Sequence, residues 1–97
     1  MGRKVYKQTV ILNNKNDFNE DTAFDIAADI AARIHEAAVE ECEEYYNGED
    51  LDDCRQDPDY DYDAIKVVLA CDGLMKEEEF EFDIYSAVNE ARVKGLI

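Results

Sequence analysis

Basic residues are scarce in this 97-residue chain: ten lysines and arginines stand against 25 aspartates and glutamates, a formal net charge of −15. A surface of that sign disfavours nucleic acid and anionic lipid as direct partners and attracts cationic ones. The residues that carry most catalysis are scarce too. There is one serine, Ser86, and one histidine, His35, with no serine elbow, no Cys-His pair and no glycine-rich phosphate loop. In HEAAVEE, beginning at His35, Val39 stands where a zincin helix needs its second histidine. A lone helix histidine of this kind is expected at the surface. Cys42, Cys54 and Cys71 are odd in number and lack CxxC spacing, which argues against a disulfide framework and a zinc knuckle. They read as reduced thiols, with Cys71 packed as a small apolar residue. No run of about 18 apolar residues offers a membrane span, and MGRKVYKQTV lacks the apolar stretch of a signal peptide. The expected compartment is the cytoplasm.

A chain of this length is expected to form a single domain, residues 1–97, burying only about 60–65% of its unfolded surface. Its core is modest, and a large internal active-site cavity is not expected. KVYKQTVIL, residues 4–12, alternates as a strand, with Tyr6, Val10 and Leu12 on one face and Val5, Thr9 and Ile11 on the other. From about Asp21 the period becomes helical, with Thr22 and Asp25 as a capping-box-like start. Ala23, Ala27, Ile30, Ile34, Ala38 and Tyr45 form a narrow buried stripe, and Asn47 and Gly48 supply the stop. The helix runs for about 25 residues, nearly 40 Å.

After the acidic stretch 49–63, AIKVVLAC is an apolar strand, and Asp72-Gly73 is a favoured two-residue hairpin turn. LMKEEEFEF should then return antiparallel, with Lys66 facing Glu79 and with Phe80 and Phe82 on the face of Ile65, Val67 and Leu69. Lys76 and Glu78 fall on that apolar face as well, which calls for a longer turn or a bulge. Asp83 can cap a last helix over residues 84–94 that buries Ile84, Ala87, Val88 and Ala91 and stops at Gly95. The expected fold is α+β, in the order β-α-β-β-α: a three-stranded, antiparallel-type sheet carrying a long acidic helix and a shorter C-terminal helix on one face.

The acids are not spread evenly. Residues 1–16 hold Arg3, Lys4, Lys7 and Lys15 and no acid, whereas residues 17–63 hold 18 acids against Arg33 and Arg55 alone. Adaptation to high salt predicts acids along the whole chain, which this distribution does not follow. A calcium loop fails on spacing: an EF-hand starting at Asp57 puts Tyr62 where glycine is needed and Val68 where the bidentate glutamate belongs. Glu40, Glu41, Glu43 and Glu44 look solvated and alike, unlike the distinct, shielded carboxylates of acid-base catalysis. No catalytic residue, metal site or cofactor is expected.

Two spacings remain. In DPDYDYDA, extended backbone throws Asp57, Asp59, Asp61 and Asp63 to one side at about 6.5 Å intervals, with Pro58, Tyr60 and Tyr62 on the other. On the helix, Asp25, Asp29, Glu36, Glu40 and Glu43 or Glu44 lie opposite the alanine stripe, with four-residue steps of about 6 Å. With Glu49, Asp50, Asp52 and Asp53 these form the candidate partner-binding surface, to which the tyrosines Tyr45, Tyr46, Tyr60 and Tyr62 add contact area. Charge reversal at Asp59, Asp61 and Asp63 is expected to cripple binding without unfolding the chain.

In size, acidity, long acidic helix and the Asp/Tyr-rich stretch DLDDCRQDPDYDYD, the chain resembles the small DNA-mimic inhibitors of bacteriophages, the antirestriction and anti-CRISPR proteins. The resemblance covers no alignable segment and transfers no particular residue. It implies a non-enzymatic protein that occupies the DNA- or guide-binding surface of a host nuclease complex and excludes the substrate. The alternative is an acidic adaptor or homodimer that binds a protein partner through apolar surface, with Leu96, Ile97, Tyr45 and Tyr46 as its contacts.

Overall fold

The β-branched and aromatic run VYKQTVIL forms strand β1 (Val5–Leu12), and a single 3-10 turn, Lys15–Asp17, leads into helix α1 (Glu20–Tyr46). Strand β2 (Ala64–Cys71), strand β3 (Lys76–Asp83) and helix α2 (Ile84–Val93) complete the α+β fold in the order β-α-β-β-α. The computed structural model describes residues 4–46, 58, 60–71 and 76–97. The stop at Asn47-Gly48, the Asp72-Gly73 turn and the side chains of Tyr45 and Tyr46 lie outside what is described.

The strand order is β1-β2-β3. β2 and β3 pair antiparallel as expected, but β1 and β2 are parallel, from Val5↔Ala64 to Leu12↔Cys71. The sheet is therefore mixed, because the chain between β1 and β2 contains a helix long enough to serve as a crossover back to the starting edge. The β2–β3 register differs from that of a two-residue turn. Cys71 opposes Lys76, so four residues connect the strands and Lys66 stands opposite Glu81, with its ammonium reaching diagonally to within 3.8 Å of Glu79. A shift of two preserves the faces. Phe80 still opposes Val67 and Phe82 still opposes Ile65, while half-buried Glu78 sits opposite Leu69 in an unbroken ladder.

Asn19, not Thr22, caps α1. Its side-chain Oδ1 accepts the Thr22 N–H at 2.8 Å, and its carbonyl accepts the Ala23 N–H at 3.2 Å. Asparagine is among the best N-cap residues, and Asn19 is itself held by donating to the Asn16 carbonyl at 3.1 Å. Thr22 thus falls inside the first turn.

The buried face of α1 is wider than one stripe because it meets two partners. Ala23, Ala27 and Ile30 pack on Ile65, Val67 and Leu69 of the sheet, with Ile34 half-buried beside them. Ala28 and Ala32 meet Ala91 of α2. α2 starts on Asp83, whose carboxylate accepts the Tyr85 N–H at 3.0 Å. It ends in a Schellman turn: Gly95 has φ 77°, its N–H donates to Arg92, and the Leu96 N–H donates to Ala91. That turn lays Ile97 over Ala28, Ala32 and Ala91, so one of the two C-terminal residues expected to face a partner is used internally.

The cysteines depart from expectation in one respect. Cys71 is buried, but Cys42 is disulfide-bonded rather than a reduced thiol. Spacing along the chain does not report proximity in the fold.

The alanine contact between the helices leaves no room for a larger side chain, since Ala28 and Ala91 are both fully buried. Ala91→Leu should cost about 1–3 kcal/mol by overpacking, read as a lower urea midpoint. An unchanged midpoint would mean that the helices are not in close contact there.

Candidate acidic interface

The row quoted as DPDYDYDA alternates as extended backbone requires: Tyr60 and Tyr62 are half-buried, and Asp61 and Asp63 are exposed. The tyrosines are inward anchors. Tyr60 Oη lies 2.8 Å from His35 Nδ1, and its ring meets those of His35 and Tyr85 at 5.9 and 5.8 Å. His35 is consequently only 7% exposed, contrary to the surface position expected of it. What buries it comes from elsewhere in the chain, which helical periodicity does not see. Tyr62 stands edge-on to Tyr6 at 5.3 Å, with the Lys4 ammonium 5.8 Å from its ring.

Asp63 is an anchor as well. Its backbone N–H donates to the Lys4 carbonyl at 2.7 Å, its carboxylate accepts the Lys4 N–H at 3.0 Å, and its carbonyl accepts the Ile84 N–H at 3.1 Å. One residue thus joins the chain just before β1, the start of β2 and the start of α2. Charge reversal there would break this tie, so Asp63 is unsuitable for testing a partner contact. Of the two exposed carboxylates in the described part of the row, Asp61 is the one that makes no such tie. Glu49, Asp50, Asp52, Asp53, Asp57 and Asp59 lie outside the described residues.

On α1 the acids divide into two halves. Asp25 holds Lys94 of the α2 C-cap at 2.6 Å, and Asp29 holds Arg33 one turn on at 2.9 Å. The hydrogen bond from Lys94 to Asp25 raises the lysine pKa above its usual 10.5, against an opposing push from partial burial. Asp25 and Asp29 are therefore internal ion-pair partners rather than bare members of a row.

The second half is different. Glu36, Glu40, Glu41 and Glu44 are exposed, Glu43 is half-buried, and among the described residues the four exposed ones make no ion pair. No basic residue stands in the last turn of α1. Of the four exposed glutamates, Glu44 lies in the last turn, where a carboxylate at the negative end of the helix dipole costs about 0.3–1 kcal/mol. Glu36 with Glu40, and Glu40 with Glu44, add like-charge repulsion of a few tenths of a kcal/mol per pair.

A third row was not anticipated from the sequence. Glu77, Glu79 and Glu81 are exposed on β3, on the sheet face away from the helices. The signal was present in KEEEFEFD: once Phe80 and Phe82 point inward, the intervening glutamates must point out. They stand about 6.5 Å apart, and Lys66 lies beside the middle one.

Two open grooves flank the second half of α1. One, of about 290 Å³, runs between the helix and residues 61–62, floored by Tyr6, Ile30, Ile34, Ala37, Ala38 and Tyr62 and rimmed by Arg33, Glu41 and Asp61. The other, of about 270 Å³, is lined by His35, Glu36, Val39, Glu40 and Ile97. Among the described residues no group of three or more His, Cys, Asp or Glu is placed to hold a metal ion, and no helix is long and apolar enough to cross a membrane.

If the carboxylates at the end of α1 oppose folding, removing their charge should stabilise the protein. Glu36→Gln, Glu40→Gln and Glu44→Gln together should raise stability by about 1–2 kcal/mol in low salt, measured by thermal unfolding. The gain should shrink at about 500 mM salt as screening strengthens. A loss of stability would mean that these glutamates serve the fold.

Comparison with protein-family models, with curated proteins and with solved structures found no match to this chain.

Proposed function

We propose that this protein is a non-enzymatic inhibitor that offers carboxylates in place of phosphates to the nucleic-acid-binding site of a host defence nuclease complex. The observation that carries this reading is the acidic second half of α1, where Glu36, Glu40, Glu41 and Glu44 are exposed without an ion pair among the described residues and no base stands in the last turn. Such an arrangement costs stability, so it calls for a reason outside the fold. Glu36, Glu40 and Glu44 advance by about 6 Å per step along the helix axis. A strand of B-form DNA presents one charge per about 3.4 Å, so each step spans close to two phosphates. Lysines and arginines placed for phosphates would meet carboxylates at a compatible spacing.

The mechanism is competitive. The acidic field draws the protein to a basic channel, occupancy of the channel excludes the nucleic acid, and no bond is made or broken. Association is fast and weakened by salt. The site of action under this reading is the host cytoplasm, where thiols are kept reduced, so inhibition should survive reduction of the Cys42 disulfide.

The test is capture from nuclease-treated bacterial lysate under dithiothreitol, at about 50 and about 500 mM salt, with the native chain and the Glu36→Gln, Glu40→Gln, Glu44→Gln variant in parallel. The native chain should retain a nucleic-acid-binding complex at low salt and lose most of it at high salt. In a gel-shift assay it should displace DNA or RNA from the purified complex. The variant should do so at least about tenfold less well. Equal capture by the variant, or capture indifferent to salt, would contradict charge mimicry and favour an adaptor that binds through apolar surface.

A further inference from the structure

Resting on that reading, we propose that the groove between α1 and residues 61–62 receives an arginine side chain of the partner. Its floor is apolar, formed by Ile34 and Ala37 of the helix and by the rings of Tyr6 and Tyr62. Its rim carries two acids from different elements, Glu41 and Asp61, neither of them in an ion pair among the described residues. Arg33 also lines the groove, but its guanidinium is drawn toward Asp29, 2.9 Å away.

An occupant must satisfy both the floor and the rim. A neutral apolar side chain would cover the floor but leave two carboxylates partly desolvated without a partner. An acidic one would be repelled. A long cationic side chain fits both, with its methylene stem on the floor and its charge at the rim. Arginine suits the groove better than lysine, because a planar guanidinium bonds carboxylates through several N–H groups and stacks on aromatic faces. Tyr62 already attracts a cation, with the Lys4 ammonium 5.8 Å from its ring. The groove beside His35 lacks this bracketing, since both of its acids, Glu36 and Glu40, come from α1.

Nuclear magnetic resonance titration of the full chain with a terminally blocked tetra-arginine peptide, at about 50 mM salt, tests the assignment. The native protein should show saturable shifts at the Ile34 and Ala37 methyls and the Tyr62 ring. Ala37→Leu changes no charge, places a good helix former at an exposed position of α1, and fills the groove. It should weaken the peptide by about tenfold or more, with helicity by circular dichroism unchanged. Glu41→Gln leaves the groove open and should weaken the peptide as well. Binding equally tight in native protein, Ala37→Leu and Glu41→Gln, with shifts confined to the Glu36, Glu40 and Glu44 surface, would overturn the groove and leave the acidic-surface reading standing. No binding to any of the three proteins would overturn both.

Discussion

Helix α1 is about half as long again as the sheet it covers. Its 27 residues span about 40 Å, while each eight-residue strand spans about 26 Å. α1 begins close behind the C-terminal end of β1 and runs back over the sheet, so its surplus turns reach beyond the start of β1. The three described strands are each shorter than the helix and do not cover its whole length. Support comes instead from the segment entering β2, through Tyr60 on His35 and Tyr62 on Tyr6, and from Asp63, which ties that segment to Lys4 and Ile84. Both grooves lie along residues 30–41 of the helix, beside Glu36, Glu40 and Glu41, which make no ion pair among the described residues.

The two halves of α1 handle charge differently. In the first half two of the acids are paired, Asp25 with Lys94 and Asp29 with Arg33, and the helix meets α2 through alanines that allow close approach. Toward its C-terminal end the last turn holds no basic residue, and among the described residues Glu36, Glu40, Glu41 and Glu44 make no ion pair. The proposed binding surface rests on these exposed glutamates. Glu77, Glu79 and Glu81 on the far face of the sheet have Lys66 beside them and do not continue the α1 surface.

Most of the fold was legible because its signals are local. The alternation of VYKQTVIL, the helical spacing of Ala23, Ala27 and Ile30, the Asp83 cap and the Gly95 stop all act within a few residues. Contacts between distant segments were not legible. The parallel pairing of β1 with β2, the Asn19 cap held by Asn16, the Lys94 to Asp25 pair and the burial of His35 depend on which elements meet in space. The candidate site shows the same division. The alternation of Tyr60, Asp61, Tyr62 and Asp63 was readable, but the structural use of Asp63 and both tyrosines was not, because polarity alone does not distinguish a carboxylate facing a partner from one holding a backbone N–H.

In the proposed function, charge on the second half of α1, rather than apolar contact, drives recognition. The most direct measurement is the association rate constant with the captured complex as a function of ionic strength. Charge steering predicts a rate that falls steeply between about 50 and about 500 mM salt, while the dissociation rate changes far less. An association rate flat across that range would contradict the account.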